Sequence, residues 1–154
     1  MPTSKQLLGA KAETIVTKRC GCARCKRTGT LRRLPTNFKR ADVICDFCGY
    51  LAQVKAVSVR TLDRCPPKIL GAAWGVQKAR MASGIYFPLF VVLVNPKGKA
   101  AVYYLSADLQ EPAIFRPRRP LSTSAVRAGW RGFTYDLTPP RSARDGGMRG
   151  QRHQ

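Results

Sequence analysis

The chain is poor in acid. Eight Asp and Glu stand against 28 Lys and Arg in 154 residues, a formal charge of +20. An excess of that size repels itself in a compact fold unless a polyanion relieves it. Nucleic acid is the first candidate partner and an anionic membrane surface the second. Long apolar runs are also missing. The longest, Leu89 to Val94, suits a buried strand and is far short of the roughly 20 residues a membrane span needs. A membrane partner is therefore not expected. The opening MPTSKQLLGAKAE lacks the apolar core of a secretory signal, so a cytoplasmic setting, prokaryotic cytosol or nucleoid, is expected. No internal repeat is present beyond a pair of cysteine motifs. Apolar residues are not lacking: at 44% they exclude disorder throughout, and the length suffices for one domain with a core.

The six cysteines are unevenly placed. Cys22-x-x-Cys25 and Cys45-x-x-Cys48 form two knuckles, with 19 residues between Cys25 and Cys45. This spacing lets two sulfurs from each turn reach one ion, and the gap is typical of zinc ribbons. In a reducing cytosol, metal is favoured over disulfides. A site of four thiolates has no open position, so its role is structural. Cys20, two residues before Cys22, is an alternate ligand. Cys65, before Pro66 and Pro67, reads as a packed or free thiol.

Ser4 is a candidate N-cap for a short helix over 4–14, with Leu7, Leu8 and Ala12 on one face. Ile15 and Val16 then lead into the first knuckle. Residues 26–40 are basic and broken by Gly29 and Pro35, as in a loop that contacts phosphates. Ala41 to Cys45 reads as a short strand and Tyr50 to Val59 as a longer one. Pro66 and Pro67 open a helix to about Ser83, stopped by Gly84. Its apolar face is Ile69, Leu70, Ala73, Val76 and Ala79 or Arg80, while Gln77 and Lys78 face outward. Tyr86 to Val94 is the most apolar strand, turning at Asn95–Gly98 into Ala100–Leu105. These elements predict an α+β fold with a mixed sheet, one domain over 1–140 with the zinc site at 20–48 embedded, and a basic disordered tail over 141–154.

One stretch carries chemistry. Hydrolysis of a phosphodiester needs a divalent ion and a cation near the attacking water. Gln53 and Lys55 are two apart on a strand and share a face. Asp42, on the neighbouring strand, is a rare acid in a position to share an ion with them. The plainer account is that Asp42 caps a turn and Lys55 is a surface lysine. Late in the chain, Arg116, Arg118, Arg119, Arg127 and Arg131 surround Trp130 and other aromatic residues. They suit phosphate contact, with the ring near bases; Trp130 as a core plug is the alternative.

These stretches together resemble the DpnI-like, dam-replacing family of restriction endonucleases, within the PD-(D/E)XK nucleases. The resemblance is carried by Cys22-x-x-Cys25, by ADVICDFC (41–48), by AQVK (52–55), where the family has Glu-x-Lys, and by RPRRPLSTSAVRAGWRGFTYDL (116–137). It covers roughly 4–140. It implies a PD-(D/E)XK restriction-endonuclease-like mixed sheet flanked by helices, with a structural zinc ion on Cys22, Cys25, Cys45 and Cys48. It also implies a magnesium ion at Asp42 and Gln53, with Lys55 acting on the water. The activity implied is magnesium-dependent cleavage of duplex DNA, restriction-type and methylation-dependent, by a monomer or transient dimer. Glu13 sits at a matching distance before Cys22 and is read as a solvated helix residue. Gln53 departs from the pattern, since an amide can ligate magnesium but brings no charge. The alternative is therefore a weakened or inactive zinc-containing DNA-binding module, a repressor or targeting subunit. A zinc-ribbon RNA-binding protein is a third reading, disfavoured by the polar-x-Lys strand.

Overall fold

Helix α1 spans Ser4–Arg19, longer than the expected 4–14. Its N-cap is Thr3, not Ser4: the Thr3 hydroxyl accepts from the Gln6 amide and the Gln6 side chain accepts from the Thr3 amide, a reciprocal cap that satisfies two orphan donors. Ile15 and Val16 continue the helix. They bury with Ala12, while Leu7, expected on that face, is 58% exposed. The computed structural model describes residues 1–38 and 40–138, so the tail expected over 141–154 lies outside them.

The described residues form an α+β fold in two compact units. The first takes in Met1–Cys65 and Phe87–Ala107. Its strands are β1 Leu31–Arg33, β2 Val43–Cys45, β3 Leu51–Ser58, β5 Leu89–Val94 and β6 Ala100–Leu105. They form a mixed sheet in the order β1-β2-β3-β5-β6. All pairs are antiparallel except β3 with β5, which run parallel from Gln53 opposite Leu89 to Ser58 opposite Val94. Every residue of β5 is buried, as its unbroken apolar run demands of a strand covered on both faces. The β5–β6 turn forms where expected. Asn95 Oδ1 accepts from the amides of Lys97 and Lys99, and Gly98 takes the left-handed φ of 78° that favours glycine. The core joins Ala12, Ile15 and Val16 of α1 to Leu31, Val43, Ala52, Val54, Phe90 and Val92. Because side chains alternate along a strand, burying Ala52 and Val54 against α1 turns Gln53 and Lys55 to the opposite face.

The second unit begins at Pro66 and runs to Tyr86, resuming at Asp108. Here the expected helix over 66–83 is corrected. Lys68–Ala73 is strand β4, and helix α2 is only Trp74–Ala82. The apolar spacing fitted a helix, but Leu70 and Val76 are 59% and 52% exposed. A long-range pairing decides the matter: β4 lies antiparallel to β8 (Gly132–Asp136), which pairs in turn with β7 (Phe115–Pro117). Gly71 lets the strands close up, since a Cβ there would come within 2.3 Å of the Phe133 ring. Gln77, expected to face outward, is 6% exposed. Gly84 ends the segment as expected, with φ of 69°. Phe115, Phe133 and Tyr135 form the buried aromatic cluster of this unit. The stretch 111–137, which lacks strand periodicity, thus supplies two strands of the smaller sheet.

Candidate functional site: a four-cysteine knuckle beside Asp42 and Lys55

The knuckles are built alike. In the first, the Cys25 amide points at Cys22 Sγ (3.5 Å) and Lys26 follows with a left-handed φ of 64°. In the second, Gly49 follows Cys48 with φ of 77°, and its amide donates to the Cys45 carbonyl. These turns bring the sulfurs of Cys22, Cys25, Cys45 and Cys48 within 4.8 Å of one another. Cys22 and Cys48 stand 3.6 Å apart, and Cys25 and Cys45 3.8 Å apart. A tetrahedral ion with bonds of about 2.3 Å sets its sulfurs about 3.8 Å apart, so the cluster fits a metal such as zinc. Burial raises the Cys45 thiol, but hydrogen bonds from Thr30 and from the Cys48 and Phe47 amides outweigh it and bring it down to about 6. That favours the thiolate a metal needs. Cys20 is outside the cluster, and burial pushes its thiol up to about 11; Cys65, half-buried, is likewise raised to about 11.

The second knuckle grows out of β2, and Asp42 stands at the head of that strand. Its amide donates to the Ala52 carbonyl (3.0 Å), and its carboxylate accepts from the Val54 amide at 2.8 Å. Two bonds therefore hold Asp42 against β3 between the positions of Gln53 and Lys55. Burial pushes the Lys55 ammonium below the usual lysine range, opposed by the nearby Asp42 charge. A lysine so tuned can exchange a proton with water more readily than a solvated one. The Gln53 amide nitrogen lies 3.4 Å from the Arg40 carbonyl, which accepts from it.

Glu13 is not the solvated residue expected. Its side chain is 18% exposed and takes the Arg33 guanidinium at 2.9 Å and 3.2 Å. Burial raises its carboxyl, Arg33 lowers it, and the charge of Asp42 raises it again, for a net rise. Glu13 and Asp42 therefore sense each other. The sequence held a faint sign of this, since acids are few and one falls on the helix that covers β3. The partner Arg33 comes from β1, and no local pattern links the two.

The proposed DNA-contacting side chains all belong to the second unit. Arg116 lies on β7, and Arg118, Arg119, Arg127 and Arg131 on the connection to β8; all five are exposed. The connection is ordered by its own backbone, with Leu121 N–H donating to the Trp130 carbonyl and Gly129 N–H to the Leu121 carbonyl. Trp130 is half-buried, and the Arg127 guanidinium stacks 4.6 Å from its ring. Arg131 Nε donates to the Arg118 carbonyl, and Arg116 sits 3.9 Å from Asp136. No helix among the described residues is long and apolar enough to cross a membrane.

No curated protein matches the chain. The model of the Dam-replacing family, DpnI, matches residues 3–144, a span that takes in both knuckles, Asp42 to Lys55 and the arginine-rich connection. With nearly its whole length inside that match, the chain belongs to the DpnI, Dam-replacing family.

Proposed function

We propose that the protein is a magnesium-dependent endonuclease of the PD-(D/E)XK type that hydrolyses phosphodiester bonds in duplex DNA, restriction-type and sensitive to methylation. Membership of the DpnI family supports a restriction-type nuclease. The observation that carries the reading is the hydrogen bond from Val54 to the Asp42 carboxylate, which sets the acid beside the strand bearing Gln53 and Lys55. Asp42 and the Gln53 carbonyl would hold the ion, with Glu13 adding the negative charge that Gln53 lacks. Magnesium bound there would neutralise phosphate charge and acidify water. Lys55 would orient the attacking water and steady the charge gathering on phosphate. The four thiolates would hold zinc as a closed structural site, fixing the angle at which β2 meets β3. Arg116, Arg118, Arg119, Arg127 and Arg131 would neutralise backbone phosphates, with Trp130 near the bases. We place the protein in the cytoplasm, acting over 1–140 as one nuclease domain, monomeric or transiently paired on DNA.

One observation favours a second reading. Gln53 is neutral and its amide is engaged with the Arg40 carbonyl, which suits a DNA-binding module with a weakened or silent centre. Supercoiled plasmid, methylated and unmethylated, incubated with magnesium separates the two. Nicking by the wild type that is lost in Asp42→Ala and Lys55→Ala supports the enzyme. Tight binding without cleavage, in manganese as well, supports the silent module.

A further inference from the structure

Lys11, Thr14 and Lys18 follow one another along α1 at intervals of three and four residues, so they share a helix face. With Arg19 and, from β1, Arg33, they line an open groove of about 420 Å³. Its lining holds four cations and no acid. The helix dipole accounts for Lys18 and Arg19, in the last turn. It does not account for Lys11, nearly two turns earlier, or for Arg33, delivered by a different element. Such a gathering repels itself until an anion is seated in it. The Thr14 hydroxyl already donates to the Ala10 carbonyl, so an occupant would be held by the cations. Arg33 spends two of its N–H groups on Glu13 and keeps others that can turn to a phosphate oxygen. Through that pair, the groove adjoins the carboxylate that senses Asp42.

We infer that this groove seats a phosphodiester group of the strand being cut, some way from the scissile bond, on Lys11, Lys18, Arg19 and Arg33. The inference rests on the nuclease reading for its substrate and adds a contact that positions the strand beside the Glu13 and Asp42 acids. Lysines supply point charge there, while the arginines fix direction by paired hydrogen bonds.

The test is binding of a fluorescent duplex of about 20 base pairs by the full chain, read by anisotropy across a salt series without divalent ions. Lys11→Ala/Lys18→Ala is compared with Lys68→Ala/Lys78→Ala, which removes the same charge from exposed positions of the second unit. The groove variant should bind about tenfold more weakly at ~0.1 M salt, and its salt slope should fall by about 2, near 0.9 per lost phosphate contact. The control pair should change less than about threefold. Equal loss in both pairs would overturn the groove and leave the nuclease reading standing. Failure of the wild type to bind duplex at all would sink both. Displacement of the duplex by about 1 mM inorganic phosphate from the wild type would assign the groove to a free phosphate and overturn the strand contact.

Discussion

The carboxylate of Asp42 and the amide of Val54 are joined by a hydrogen bond of 2.8 Å. The bond ties an acid to the backbone of the strand that carries Gln53 and Lys55, so the candidate centre is held by main chain rather than by side-chain packing. Asp42→Ala removes the acceptor and leaves the Val54 amide without it. Stability should fall by about 1–3 kcal/mol, measured by denaturant unfolding, and Asp42→Asn, which keeps an oxygen, should lose less.

Lys55 is held at a cost to the fold. Its native pKa lies below the unfolded value because burial disfavours the charge. Between the two values the native chain binds fewer protons than the unfolded one, so stability rises with pH through that window and is lowest where the lysine is charged in both states. Lys55→Met keeps the stem and removes the charge. It should raise Tm at pH 7 by about 2–4 °C while abolishing cleavage. A lower Tm would show that the attraction to Asp42 outweighs burial.

Glu13 gives the opposite slope. Its native pKa is raised above the unfolded value of 4.5, so the native chain binds more protons in the window just above that value and stability falls as pH rises through it. Differential scanning calorimetry from pH 7 to pH 5 in magnesium-free buffer should show the wild type gaining stability relative to Glu13→Gln. Parallel curves for the two proteins would contradict the burial of an acid beside Asp42.

What could be read in the sequence follows from where each signal resides. The cluster of Cys22, Cys25, Cys45 and Cys48 was legible because ligand spacing is local and thiolate chemistry is narrow. Leu89–Val94 was legible because an unbroken apolar run has few uses other than a strand buried on both faces. Lys68–Ala73 was not. Two prolines and apolar residues at helical spacing fitted a helix, and the strand forms only because β8, some sixty residues later by the numbering, pairs with it. Gln77 reads as polar surface and is buried by tertiary packing that no window of sequence contains. The candidate site divides in the same way. Asp42, Gln53 and Lys55 lie in one short stretch, whereas Glu13 gains its setting from Arg33 on another element.

The cysteine cluster makes the fold of the first unit depend on metal. Cys45 titrates at about 6, and a metal must compete with protons for its thiolate. Acidification below that value, or a strong chelator at pH 7, should release about one ion per chain to a colorimetric indicator, with loss of the first unit's cooperative unfolding. Cys48→Ala should reproduce the loss and Cys20→Ala should not, because Cys20 is outside the cluster.

The central claim is that Asp42 takes part in cutting DNA rather than only in binding it. The most direct measurement is the single-turnover cleavage rate of a labelled duplex in magnesium, wild type against Asp42→Asn, with binding of the same duplex measured in parallel. The account predicts a rate at least about a hundredfold lower in the variant (roughly 2.7 kcal/mol in barrier) with affinity unchanged within about twofold. A rate that survives the substitution would contradict it.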